Sequence, residues 1–370
     1  MIADDFPNSL YWSWDILADR ATFLENPVFF ENVKRKDGST PLIVLDEIHK
    51  YRDWKNCLKG FYDGYHNRYR FLVTGSGRLD LYQKGGDSLA GRYLPFRLWP
   101  FTIAELAEDN RLFDDFLNNP LEITMERNVE MMAIWSQIET LSGFPEPFLL
   151  NRIPSYRRWS QVYARQLIRE DIRDMTDVKS VGGMETLYEL LPSRVGSSLS
   201  FTSLSEILHV SYNTVRSWLD IFERFFLVFS IAPWTEKVAR AIQKEKKYYL
   251  WDIPRIKNQG ARLENMVAAE LWRAVTCWND RGLGNFSLHF IRNKEKEEVD
   301  FLIADEHNPL LLVETKLNDT KPSGALKKFQ RYLGVKAIQL THEGDGFQML
   351  SNGGLPILVA PACQWLSRLP

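Results

Sequence analysis

The sequence predicts a multidomain protein that combines α/β and α+β parts. Three observations carry that expectation. Residues 41–48 form an apolar run closed by two acids, residues 200–227 read as two short amphipathic helices around a tight turn, and the stretch after Gly260 reads as one helix followed by three strands. With 370 residues and 45% apolar content, the chain can bury more than one core. Lys and Arg total 46 against 48 Asp and Glu, and a formal charge of −2 excludes a surface built throughout for coating nucleic acid. DNA contact is therefore expected to be local. The three cysteines, Cys57, Cys277 and Cys363, lie too far apart to define a zinc site or a disulfide framework. Residues 1–7 lack a signal pattern and no stretch nears the roughly 20 apolar residues of a membrane span, so a cytoplasmic protein without a membrane partner is expected.

Taken in chain order, residues 41–48 have the composition of a strand buried on both faces of a parallel sheet, with its polar end at the active edge. A second such run, residues 69–74, stops at Gly75-Ser76-Gly77, and residues 54–65 between them read as an amphipathic helix. Strand, helix, strand makes an α/β unit. Helical patterns over 101–117 and 133–141 lead to a punctuated Gly-Phe-Pro-Glu-Pro stretch at 143–147, and residues 156–174 read as one long, charged helix. The two helices of 200–227, turning at Val210-Ser211, form a helix-turn-helix pattern, to which residues 234–251 could add a two-stranded wing. Beyond Gln259-Gly260, Leu263, Val267, Leu271 and Val275 keep helical spacing, and 288–292, 299–304 and 309–317 read as strands of one sheet.

The first chemical constellation is Asp46-Glu47. If a nucleotide sits beyond the sheet edge, Asp46 would support a hydrated Mg²⁺ and Glu47 would polarise the attacking water, with Thr74 and Ser76 on the neighbouring strand end to orient it. The bland alternative is a solvated strand end. The order of an apolar strand with Asp-Glu-Ile (42–48), Thr-Gly-Ser (74–76), Ser-Leu-Ala-Gly-Arg (88–92) and Pro-Phe-x-x-x-Glu-Leu (100–106) resembles a prokaryotic family of AAA-type ATPases. The resemblance implies a P-loop NTPase core and makes Arg92 an arginine finger toward a neighbouring subunit. The Gly-x-x-x-x-Gly-Lys-Ser/Thr loop that cradles phosphates in that family occurs nowhere in the 370 residues, so ATP is expected as a cofactor only if such a loop is restored. Residues 1–7 resemble the end of the helix that follows the loop, which suggests a start set too late or a decayed gene.

In the helix-turn-helix pattern, Tyr212, Asn213, Thr214, Arg216 and Ser217 fall on the exposed side and could reach phosphates or base edges, while Val215, Leu219 and Phe222 face inward. Trp218, Phe225, Phe226 and Phe229 make the surroundings unusually apolar, which equally suits a module packed between larger domains.

The third constellation lies near the C-terminus. Alternation places Val299, Phe301 and Ile303 on one strand face and Asp300 on the other, and puts Glu314 and Lys316 together opposite Val313 and Thr315. If the strands pair through a turn at 306–309, Asp300, Glu314 and Lys316 meet, two carboxylates able to fix Mg²⁺ and an ammonium able to orient or activate water beside a phosphate. Glu-Val-Asp-Phe-Leu-Ile (298–303) followed by Glu-Thr-Lys (314–316), after a helix and in this order, resembles the PD-(D/E)XK nuclease superfamily. That resemblance adds Glu264, on the helix opening the domain, as a supporting acid, and Gln330 more weakly. As ordinary surface chemistry, Glu264 would be a helix-start acid, Glu314 and Lys316 a cross-strand pair, and Asp300 strand-edge protection. The six histidines show no ligand spacing.

The expected organisation is a truncated AAA-type core (1–118), a helical connector (119–160), a winged-helix segment (161–257) and a PD-(D/E)XK nuclease-like domain (258–370). The expected activity is Mg²⁺-dependent cleavage of nucleic-acid phosphodiesters, with Asp300 and Glu314 as metal ligands and Lys316 and Glu264 as catalytic residues. The alternatives are ATP hydrolysis through Asp46, Glu47 and Arg92 once an N-terminus is restored, or an inert scaffold binding DNA or protein. DNA, a protein partner or a second copy of the chain are the expected partners.

Overall fold

The computed structural model describes residues 5–75, 89–107, 111–123, 128–172, 180–235, 245–342 and 347–370. They form two compact units, Met1–Pro95 and Phe96–Pro370.

In the first unit, β1 (Ser9–Ser13), α1 (Leu17–Glu25), β2 (Leu42–Asp46), α2 (Trp54–Tyr65) and β3 (Arg70–Thr74) build a three-stranded sheet in the order β1-β2-β3, parallel throughout. The central strand is the apolar one. Ile43 and Leu45 are fully buried, as a strand covered on both faces requires. Trp54 and Phe61 of α2 enter a core shared with Trp12, Phe23, Phe30 and Tyr69. Such rings bury about 150–250 Å² each, which lets a unit this small hold a core. β2, α2 and β3 fall where the apolar runs place them. β1 is missing from that reading because Ser-Leu-Tyr-Trp-Ser has polar ends and a half-exposed Tyr11, so pairing with β2 is what makes it a strand.

The second unit begins with helices: α3 (Ile103–Ala107), α4 (Phe113–Asn118), α5 (Val129–Leu141), α6 (Pro145–Leu150), α7 (Ile153–Gln166), α8 (Val181–Leu190), α9 (Phe201–Leu208) and α10 (Tyr212–Arg224). The single helix expected over 101–117 is two short ones. The long helix expected from 156 loses α geometry at Leu167, where a π-helical turn runs to Ile172, and residues 173–174 lie outside the described residues. Ser211 caps α10 by accepting from the Thr214 N–H, and Val215, Trp218, Leu219 and Phe222 form its buried stripe.

The rest is a mixed eight-stranded sheet in the order β10-β11-β9-β8-β7-β6-β4-β5. Its strands are β4 (Val228–Pro233), β5 (Lys247–Leu250), β6 (Phe286–Arg292), β7 (Glu298–Asp305), β8 (Asn308–Lys316), β9 (Lys336–Thr341), β10 (Gln348–Asn352) and β11 (Leu355–Pro361), with helices α11 (Gln259–Asp280), α12 (Gly324–Leu333) and α13 (Ala362–Leu366). The wing expected over 234–251 differs in place and in kind. β4 starts at Val228, pairs antiparallel with β5, and then runs parallel to β6 through Ala232 and Pro233. Nearly every residue of this hairpin is buried, whereas a free wing would leave one face wet, so it forms the edge of the large sheet. Among the described residues no helix is long and apolar enough to cross a membrane.

Candidate functional site

β7 does not keep strict alternation. His289 of β6 pairs with Leu302 and Ile291 with Val299, so two β6 steps match three β7 steps and Asp300 with Phe301 oppose Phe290 alone. This is a β-bulge, which re-aims side chains. Val299 consequently packs in the same cluster as Leu302 and Leu312, beneath Leu326 and Phe329 of α12, while Phe301 lies near Tyr249. The face shared by Val299 and Phe301 in the alternation argument is thus corrected.

The β7–β8 ladder ends at Phe301 opposite Val313, and beyond it Asp300 turns to the next strand. Its Oδ2 accepts from the Thr315 N–H at 2.8 Å and from the Thr315 hydroxyl at 2.7 Å. Thr315 was expected on the opposite face; its hydroxyl reaches Asp300 because the ladder has ended there. Lys316 Nζ lies 3.1 Å from Glu314 Oε1, and the Glu314 side chain is only 3% exposed against 37% for Lys316. Burial pushes the Glu314 carboxyl above the usual carboxylate range, with Lys316 and the Ser323 hydroxyl opposing and Asp300 adding to the rise. Burial works to lower the Lys316 ammonium, but Glu314 and Asp300 outweigh it and hold its pKa above the ordinary value. Asp300, held by Thr315, and the Glu314–Lys316 pair thus lie at the same end of β7 and β8, close enough for the Asp300 charge to act on both. Glu314 Oε2 is buried with no hydrogen-bond partner.

Glu264 approaches from α11. The helix is set by Asn258, which caps the Ala261 N–H, and by Asn265, whose amide accepts from Leu250 N–H at 2.7 Å and donates to Leu250 C=O at 2.8 Å. That clamp fixes β5 against the helix. Lys247 and Tyr249, two residues apart on β5, then both reach Glu264 Oε1, at 2.9 and 2.8 Å. Lys247 Nζ also lies 2.6 Å from Glu298 Oε1, and Arg292 pairs with the same carboxylate. Burial raises the Glu264 pKa, Asp300 adds to it, and Lys247 and Tyr249 oppose it. Gln330 is elsewhere in function: it is fully buried, donates to Pro356 C=O and accepts from Asn352, tying α12 to the β10–β11 hairpin.

In the first unit, Asp46 is surrounded by hydroxyls. Tyr11 donates to Oδ2 at 2.7 Å, Ser13 reaches the same oxygen at 3.3 Å, and Thr74 donates to Oδ1. Burial raises the Asp46 pKa, but these donors prevail and the carboxyl is held below its ordinary value. Glu47 takes a left-handed backbone, φ 56°, and pairs with Lys50 at 3.0 Å. Arg92 pairs with Asp63 at 2.8 Å. Ser76 lies outside the described residues. On α10, Asn213 and Arg216 are exposed as expected, whereas the Thr214 hydroxyl is shared with Ser211 at the cap, 2.8 Å away.

Residues 1–107 match a family model described as an AAA domain. The N-terminal part of the chain carries an AAA domain. Residues 134–254 and 259–351 match two models described as domains of unknown function, DUF8612 and DUF4143. Two uncharacterized proteins of Methanocaldococcus jannaschii are similar along most of the chain. One is 23% identical over 329 residues, covering 85% of this chain and 71% of the relative, and the other is 25% identical over 340 residues, covering 84% and 68%. An uncharacterized protein of Haemophilus influenzae is 24% identical over 276 residues, 71% of this chain and 65% of the relative.

Sequence reasoning missed Lys247, Tyr249 and Tyr11. The signal in Lys-Tyr-Tyr-Leu was the spacing of Lys247 and Tyr249 by two, but a lysine in a Lys-Glu-Lys-Lys run reads as solvated until a tertiary contact buries it. In the AAA domain, Tyr11 belonged to the strand that was not foreseen.

Proposed function

We propose that the chain cleaves nucleic-acid phosphodiester bonds with a divalent cation held by Asp300 and Glu314, as the PD-(D/E)XK nucleases it resembles do. The observation behind this reading is the Glu314–Lys316 pair at the end of β8, with Asp300 at the adjoining end of β7 acting electrostatically on both. The donor set suits a hard cation. Glu314 Oε2 is a buried oxygen without a partner, and both Thr315 donors go to Asp300 Oδ2, which leaves Oδ1 for an ion. Among the described residues no group of three or more His, Cys, Asp or Glu is placed to hold a metal, so the reading rests on two carboxylates, with water and phosphate to complete the shell of a Mg²⁺ ion.

When bound, the ion supplies charge neutralisation on the phosphate and a more acidic water. Thr315 fixes the Asp300 carboxylate in place. Lys316 stays an ammonium at neutral pH, since its pKa is held up, so it donates a hydrogen bond to water or to a phosphate oxygen rather than accepting a proton. Asn213 and Arg216, exposed on α10, offer contacts to a DNA partner.

Plasmid cleavage in Mg²⁺ tests the reading. Lys316→Ala and Asp300→Ala should each fall by at least about 100-fold against the parent. Equal cleavage by all three proteins removes the proposal.

ATP hydrolysis is the second reading, favoured by the AAA domain match over 1–107. The residues present fit it poorly: both Asp46 oxygens already accept from hydroxyls and Arg92 is paired with Asp63, so no hydrolytic step is assigned to them.

A further inference from the structure

We propose that Lys247 is the resident cation of the Glu264 half of this site, competing with a divalent ion for that carboxylate, so that Glu264 anchors Lys247 and Tyr249 and Asp300 and Glu314 alone take metal. The inference rests on the metal-dependent reading above. Three features carry it. First, the Lys247 ammonium is 1% exposed and lies between Glu264 Oε1 at 2.9 Å and Glu298 Oε1 at 2.6 Å, with the Phe290 ring centroid 5.4 Å away. A divalent ion on that oxygen would have to displace a buried ammonium from its partners, or sit against its charge.

Second, the oxygen that Lys247 uses is also taken by the Tyr249 hydroxyl, and the other one faces backbone. Gly196 has φ +79°, and a Cβ there would stand 2.8 Å from Glu264 Oε2. Third, the strap that carries Gly196 is tied down: Ser198 bridges to Lys247, Leu199 N–H donates to Lys246 C=O, and Arg292 donates to the Ser198 hydroxyl. The chain itself thus closes the Glu264 side. The charges facing Lys247 are Glu264 from α11 and Glu298 and Asp300 from β7. Burial works to lower its pKa, but these acids hold it above the ordinary value and keep it cationic.

Titration of Mn²⁺ into the full chain, with free ion read by electron paramagnetic resonance, tests this. Lys247→Gln should bind Mn²⁺ at least about tenfold more tightly than the parent, and Lys247→Arg should bind as the parent does. Glu264→Gln should leave the affinity within about twofold, and this variant decides the matter should Lys247→Gln fail to fold. Binding by Lys247→Gln that is no tighter than the parent overturns the inference, as does a tenfold loss in Glu264→Gln. Failure of the metal reading has a separate signature: Asp300→Asn would then bind Mn²⁺ as the parent does, while the comparison of Lys247→Gln with the parent still judges Lys247.

Discussion

A buried carboxylate without a full set of donors costs free energy, and the chain keeps such oxygens on Glu314 and on Glu270. Glu270, in the middle of α11, accepts from the Ile103 N–H through Oε1 at 3.0 Å, and its Oε2 has no hydrogen-bond partner. Burial pushes its carboxyl up to about 7, with Arg273 opposing, from 4.5 in a solvated chain. The native state therefore holds this proton more tightly than the unfolded state. Stability is full below about pH 4.5, falls as pH rises toward 7, and is lower by on the order of 3 kcal/mol above it. Urea midpoints at pH 5 and pH 8 check this: Glu270→Gln, which keeps an acceptor for Ile103, should show a smaller difference than the parent, and an identical difference would count against it. Glu314 differs because Lys316 stands beside it and the Asp300 charge acts on it, which is why it is read as a site and Glu270 as a support for α3.

Elements position these groups through backbone contacts that side-chain patterns only partly announce. Asn265 holds β5 by both polar groups of Leu250, so Asn265→Ala orphans a buried N–H and a C=O and should cost about 2–6 kcal/mol. Chemical denaturation reads that directly; a loss below about 1 kcal/mol would mean β5 is held some other way. Gly196→Ala meets both a left-handed backbone and Glu264 Oε2, and a drop of about 1–3 kcal/mol in the same measurement is expected. The apolar runs at β2 and β3, the spacing of α2 and α11, and the paired helices α9 and α10 were legible because periodicity reports burial directly. The strand positions of Asp300, Glu314 and Lys316 were legible for the same reason, whereas the contact of Asp300 with Thr315 was not. The bulge at Asp300 was not, because an extra residue in β7 exists only relative to β6. Nor were β1 and the junction of β4 with β6, whose strand character comes from partners distant in sequence.

For the whole molecule, two compact units bear two unequal candidate sites. In the AAA domain the acid at the strand end is saturated by Tyr11, Ser13 and Thr74, so a fluorescent ATP analogue should show no saturable binding in the micromolar range, and tight binding would overturn that description. In the second unit the sheet runs without a break from the strands after the helix-turn-helix to the C-terminal strands, so α10 and the acidic end of β7 and β8 are built on one frame. That continuity gives the exposed face of α10 and the acidic end of β7 and β8 a fixed spacing. The most direct test is crystallographic: anomalous scattering from crystals soaked in Mn²⁺ should place an ion between Asp300 and Glu314. An ion bound to Glu264 without them, or no ion at Asp300 and Glu314 at millimolar Mn²⁺, would contradict the account.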